Sequence, residues 1–187
     1  MNRPKLSLWA KNMAMIAFLL AGACAQKATA GHPAQGGVTL PELSGMVGSW
    51  EGRGWMAFGP GQRREFTQTE QVTAKLGGAV IVVEGTGLAS DGSGGTRVVH
   101  SALGVISQHA DEGAYTFKSY LATGQSLESV ATLEKGRLVW GFEIPGRGRV
   151  RYTLYMPVGD RWYEIGERSM DGENWVQFIE MDLARVK

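Results

Sequence analysis

One cysteine, three histidines and no surplus of either charge leave few chemistries open to this chain of 187 residues. Cys24 is its only cysteine, so no internal disulfide can form. His32, His100 and His109 show no ligand spacing, and no metal site is expected. His100 and Ser101 are adjacent, and on a strand adjacent side chains leave on opposite faces, so they make no Ser–His pair. Lys and Arg number 19 against 18 Asp and Glu, with no basic tail or patch of the kind that grips phosphate backbones, and nucleic acid is not an expected partner. No internal repeat and no convincing amphipathic helical run is present. The apolar run Met13 to Ala25 carries no charge, is roughly 13 residues and is too short to span a bilayer.

That stretch follows Arg3, Lys5 and Lys11 and precedes a string of small residues, the three-part layout of a secretory signal peptide over residues 1–30. Ala28-Thr29-Ala30 fits the small-x-small cleavage rule, and Ala23-Cys24-Ala25 is a second site of that kind. The protein is therefore expected to be exported, to the periplasm or beyond. Leu20-Ala21-Gly22-Ala23-Cys24 resembles a bacterial lipobox with Leu20 one residue too far from the cysteine. Lipidation of Cys24 is the one route to membrane contact. Residues 31–44 read as a flexible linker. Removing residues 1–30 takes away four basic residues and no acid, leaving 15 Lys and Arg against 18 Asp and Glu, a net of about −3.

What the remaining chain has in plenty is glycine, 27 in the whole sequence, set out as turns at short, even intervals. Gly59-Pro60-Gly61, Gly77-Gly78, Asp91 to Gly95, Asp111-Glu112-Gly113, Thr123-Gly124, Lys135-Gly136, Pro145-Gly146, Gly159-Asp160 and Asp171-Gly172 divide residues 45–187 into ten strands. Ten antiparallel strands in sequence predict an all-β fold, a single up-and-down barrel closed on itself.

Period-two alternation gives the inward face. Leu138, Trp140, Phe142 and Ile144 share one side of their strand, and Val150, Tyr152, Leu154 and Met156 share one side of the next. Phe66, Gln68, Glu70, Val72 and Ala74 form another such set, which places Gln68 and Glu70 inside; a buried carboxylate there needs a partner. Ser101, Ser119 and Gln177 are expected inside by the same reasoning, with His100 outside. Trp175, Gln177, Ile179, Met181, Leu183 and Arg185 fall on one face of the last strand. Gln68, Glu70, Ser119, Trp140, Tyr152 and Gln177 are the candidate ligand-binding residues of a mostly apolar cavity. Acid–base catalysis by Glu70 with Glu164 rests on nothing beyond residue type, and no catalytic residues are assigned. Arg147, Arg149 and Arg151 form an outward basic stripe, read as a solvated face.

The opening strand carries Gly48-Ser49-Trp50-Glu51-Gly52-Arg53-Gly54. Trp50 can plug one end of the barrel, and Gly52 and Gly54, on the same face, let the strand bend and close. A Gly-x-Trp at this place resembles the calycin signature of lipocalins and fatty-acid-binding proteins, and the longer G-x-W-x-G-x-G resembles nitrobindin-type barrels and their lipocalin-like bacterial relatives. The resemblance implies that Arg185 of the final strand packs across Trp50. It also implies haem held by a histidine near the C-terminal end, yet residues 110–187 contain none, so no cofactor is expected. The favoured reading is an exported barrel binding a small hydrophobic molecule, with no enzyme activity assigned. A haem-binding or enzymatic barrel and a ligand-free cell-envelope interaction module are the alternatives, and the oligomeric state is open.

Overall fold

A computed structural model describes residues 39–59 and 61–187. The expected signal peptide, Cys24, His32 and most of the expected linker lie outside them. Ten strands follow one another: β1 (Gly48–Ala57), β2 (Arg63–Lys75), β3 (Val80–Ser90), β4 (Thr96–Gln108), β5 (Ala114–Leu121), β6 (Ser126–Glu134), β7 (Arg137–Ile144), β8 (Gly148–Tyr155), β9 (Arg161–Ser169) and β10 (Val176–Arg185). Each pairs antiparallel with its sequence neighbours, and β1 pairs with β10 to close the barrel. All the turns expected from glycine and proline fall between strands. The Lys135-Gly136 turn shows why: φ is 49° and 72° at the two positions, the paired left-handed geometry of a two-residue hairpin whose twist matches the strands it joins.

One end of the barrel is closed. A 3-10 helix, Pro41–Met46, crosses it and buries Leu43 and Met46, and the preceding Leu40 is buried too, its amide donating to Gly78 O at 2.9 Å. The ordered unit therefore starts earlier than residue 45: Leu40 and Leu43 belong to the core, not to a solvated linker, because their side chains cap an otherwise open apolar end.

Trp50 lies against this cap, fully buried, its indole N–H donating to Met46 O at 2.8 Å. The Arg185 guanidinium sits 4.0 Å from the Trp50 ring centroid and donates to Val47 O at 2.6 Å and Gly45 O at 2.9 Å. Trp50 and Arg185 are also direct cross-strand partners. The arginine thus ties the last strand to the first and to the cap, and its charge is spent on carbonyl oxygens and an aromatic face. Gly52 and Gly54 work by close approach: a Cβ at Gly52 would collide with the β10 backbone at Asp182, and one at Gly54 would lie 2.6 Å from both Glu180 O and the Phe66 ring.

Two strands that carry bulges, β4 and β10, depart from the expected facing. In β4 the register slips so that Gly87 opposes His100 while Leu88 opposes Val98, leaving Val99 as the extra residue. Beyond the slip, His100, Ala102 and Gly104 face the interior, and Ser101 faces outward. In β10 the register slips between Gln177 and Ile179, and Phe178 turns inward. Gln177 is on the outer face instead, donating to the Glu180 carboxylate at 2.9 Å, and Trp175 is outside with it, stacked under Arg151. The β10 bulge adds one residue, and one residue exchanges the two faces of a strand; in β4 the alternation from His100 onward is unbroken, and its less apolar face is the inward one. Ala74, placed in the inward set of β2, is exposed where the strand leaves the barrel end.

Candidate functional site

Inside the barrel lies a cavity of about 550 Å³, within the range of small-molecule sites. Its floor, toward the capped end, is formed by Met46, Trp162, Glu70 and Glu164; its rim includes Leu121, Gln125 and Ser126 of the exposed β5–β6 hairpin.

Much of the wall is aromatic. Phe117 of β5 stacks on Trp140 of β7 with centroids 4.7 Å apart, Trp140 stacks on Tyr152 of β8 at 5.5 Å, and Tyr152 meets Phe178 of β10 edge-on at 5.9 Å. Small residues make room for these rings. A Cβ at Gly166 would come 2.9 Å from the Tyr152 ring, and one at Gly104 3.2 Å from Phe117.

Against this apolar wall stand two carboxyl groups. Glu70 on β2 is 5% exposed and Glu164 on β9 is 8% exposed. Gln68 Nε2 donates to Glu70 Oε1 at 2.7 Å, and the Trp162 indole N–H donates to Glu164 Oε2 at 3.2 Å. Glu70 Oε2 and Gln68 Oε1 are buried without a hydrogen-bond partner among the described residues. Opposite them β3 carries Gly85 and Gly87, where a Cβ would lie 2.7 Å from the Glu70 carboxylate and 2.7 Å from Gln68 Oε1 respectively. The glycines let both polar side chains lie flat against the wall.

Among the described residues no Lys, Arg or His forms an ion pair with either glutamate. Burial therefore dominates their ionisation and pushes Glu70 up to about 7, against a smaller opposing effect of the Gln68 hydrogen bond. Burial likewise pushes Glu164 up to about 8, and the negative charge of Glu70 adds to it. Tyr152 is raised to about 12 by burial and by Glu164, and burial lowers His100, so both stay neutral near pH 7.

Of the sequence-predicted ligand residues, Glu70, Ser119, Trp140 and Tyr152 line this one cavity, Gln68 buttresses Glu70, and Gln177 is outside. Trp162, Phe117 and Phe178 were not singled out. The inward alternation Trp162-x-Glu164-x-Gly166 was readable, but Tyr163 and Ile165 on the other face made the choice of side ambiguous. His100 faces the cavity, the reverse of its expected position. The donor set does not fit haem held as in nitrobindin-type barrels, since residues 110–187 offer no imidazole, and no chemistry is derived through that group. No group of three or more His, Cys, Asp or Glu among the described residues is arranged to hold a metal ion.

No protein-family model and no curated protein sequence matches the chain. Solved structures do share its architecture. Rv2717c from M. tuberculosis superposes with a TM-score of 0.59 at 16% identity, over 80% of this chain and 100% of that one. The S-type phycobiliprotein lyase CPES from Guillardia theta superposes with a TM-score of 0.54 at 12% identity, over 78% of this chain and 90% of that one. At these identities the likeness concerns fold, and the fold is a lipocalin-like, calycin-type barrel. No helix among the described residues is long and apolar enough to cross a membrane.

Proposed function

We propose that this protein is an exported carrier or sensor barrel that holds one small, largely apolar molecule in its interior. The observation that carries the reading is the cavity of about 550 Å³, walled by Phe117, Trp140, Tyr152 and Phe178 and furnished with two partner-poor carboxyl groups. A barrel serving only as an envelope interaction module has no use for an open interior, and two of the three arginines of its expected docking surface are already paired. Arg149 pairs with Glu143 at 2.8 Å, and Arg151 pairs with Glu167 at 2.8 Å while stacking on Trp175. One protein of the same fold is a phycobiliprotein lyase, which supports small-molecule handling by a barrel of this shape.

The test is titration of the purified protein with the neutral, apolar dye N-phenyl-1-naphthylamine, read by dye emission and by quenching of the cavity tryptophans. Saturable binding near one dye per chain is expected. Ala102→Trp, which projects an indole into the cavity from β4, should weaken it markedly while leaving the far-ultraviolet spectrum of the barrel unchanged. Absent or unsaturable binding, or binding indifferent to Ala102→Trp, contradicts the reading.

Export is part of the proposal and rests on the N-terminal leader. Expressed in a bacterial host, the mature protein is expected outside the cytoplasm with a mass that starts at Gly31. A mass carrying acyl chains on Cys24 would make it a lipoprotein instead.

A further inference from the structure

We propose that the ligand is a cationic amphiphile, an aromatic body bearing a protonated amine, whose nitrogen sits on the cavity floor at Glu70 and Glu164. The inference rests on the carrier reading above and narrows it to a ligand class. Three observations on different elements point the same way. Among the described residues Glu70 Oε2, on a carboxyl that lines the cavity floor and is 5% exposed, has no hydrogen-bond partner, and neither has Oε1 of Gln68 behind it, 1% exposed; the amide oxygen only accepts hydrogen bonds, and the carboxylate does so once ionised. A donor-rich group is what completes them, and an ammonium brings three donors and the missing positive charge. Gly85 and Gly87 hold open the space these oxygens occupy, so the arrangement is built into β3 as well as β2. The third observation is the wall of stacked rings, Phe117, Trp140 and Tyr152, next to Glu164, which seats a flat aromatic body and supplies no competing charge.

The other titratable groups around the pair do not neutralise it. His100 of β4 and Tyr152 of β8 face the same cavity and are held uncharged by burial. Arg185 of β10 is occupied at the capped end by Trp50, Val47 O and Gly45 O. Asp160, just before β9, lies with Arg185 at 3.4 Å and is exposed. A bound ammonium stabilises the ionised carboxylates, so binding releases protons and strengthens with pH until the carboxyls are ionised in the free protein.

Three probes of one shape test this: 2-naphthylmethylamine, neutral 2-naphthylmethanol and anionic 2-naphthoate, each titrated calorimetrically at about pH 5.5 and about pH 8, below the range in which the buried carboxyls ionise and within it. The amine is expected to bind at least roughly tenfold more tightly than the alcohol at the higher pH. It should release protons on binding and lose most of that advantage at the lower pH. In Glu70→Gln with Glu164→Gln the advantage should vanish while the alcohol still binds; the pH profile of the unaltered protein gives the same answer without relying on the variant. Equal binding of amine and alcohol, tighter binding of naphthoate, or an amine preference that survives the double substitution overturns the ligand class and leaves the carrier reading standing. Binding of none of the three overturns both.

Discussion

At the residue scale the two buried glutamates make folding stability depend on pH in an unusual sense. An acid whose folded pKa lies above its ordinary value holds its proton more tightly in the native state, so its contribution is complete below about pH 4.5 and is lost as pH rises through the folded value. For Glu70, raised from 4.5 to about 7, the loss is on the order of 3 kcal/mol. Glu164 continues it toward about 8. Asp171 and Asp182, lowered by their hydrogen bonds to Asn174 and to Arg161, change protonation only below this window and do not disturb it. The melting temperature of the ligand-free protein should therefore fall by roughly 5–10 °C between about pH 5 and about pH 8.5. Glu70→Gln combined with Glu164→Gln should flatten that slope, as thermal denaturation at stepped pH would show. A melting temperature that rises across the interval would mean that the carboxyls are not desolvated as described.

At the element scale, the β1–β10 seam is where the barrel closes and where it is most sensitive. Arg185→Ala removes two hydrogen bonds to carbonyls and the stack on Trp50, at a cost of about 2–4 kcal/mol. The loss should appear first as faster amide exchange in β1 and β10, before the rest of the barrel. Gly52→Ala should do comparable damage, because the new methyl meets backbone at Asp182 and Leu183 that cannot rotate away. Unchanged denaturation midpoints for both would contradict this account of closure. The seam was legible in the sequence: Gly-x-Trp marked the first strand, and a charge in register with apolar residues marked Arg185. The two bulges were not. A single inserted residue leaves no compositional mark, and Val99 and Phe178 are each unremarkable strand formers. The same blindness put Gln177 inside, whereas Ser101 and His100 were misplaced because the face of β4 that carries Leu103 and Val105 is the more apolar one, while the cavity is lined by His100, Ala102 and Gly104. It spared β2, β7 and β8, whose alternation runs unbroken and which supply Glu70, Trp140 and Tyr152.

At the scale of the whole molecule, ten strands enclose more volume than their inward side chains fill, partly because Gly85, Gly104 and Ala102 face inward where larger residues would otherwise close the space. A cap of Leu40, Leu43, Met46 and Trp50 seals one end, so the route into the cavity lies at the end that carries the β5–β6 hairpin. Substituting Leu121 or Ser126 at the rim should therefore alter association rates more than stability, which stopped-flow mixing with the dye would resolve. Equal effects of capped-end and rim substitutions on entry would place the portal elsewhere.

The central claim, an interior built to hold a small molecule, is tested most directly by mass. The protein exported from a bacterial host and purified gently would be weighed under native and then denaturing conditions. The account predicts an added mass of one small amphiphilic molecule on the native protein, lost on denaturation and diminished in Glu70→Ala. A native mass equal to the denatured one, in a protein that also fails to take up added apolar amines, would contradict it.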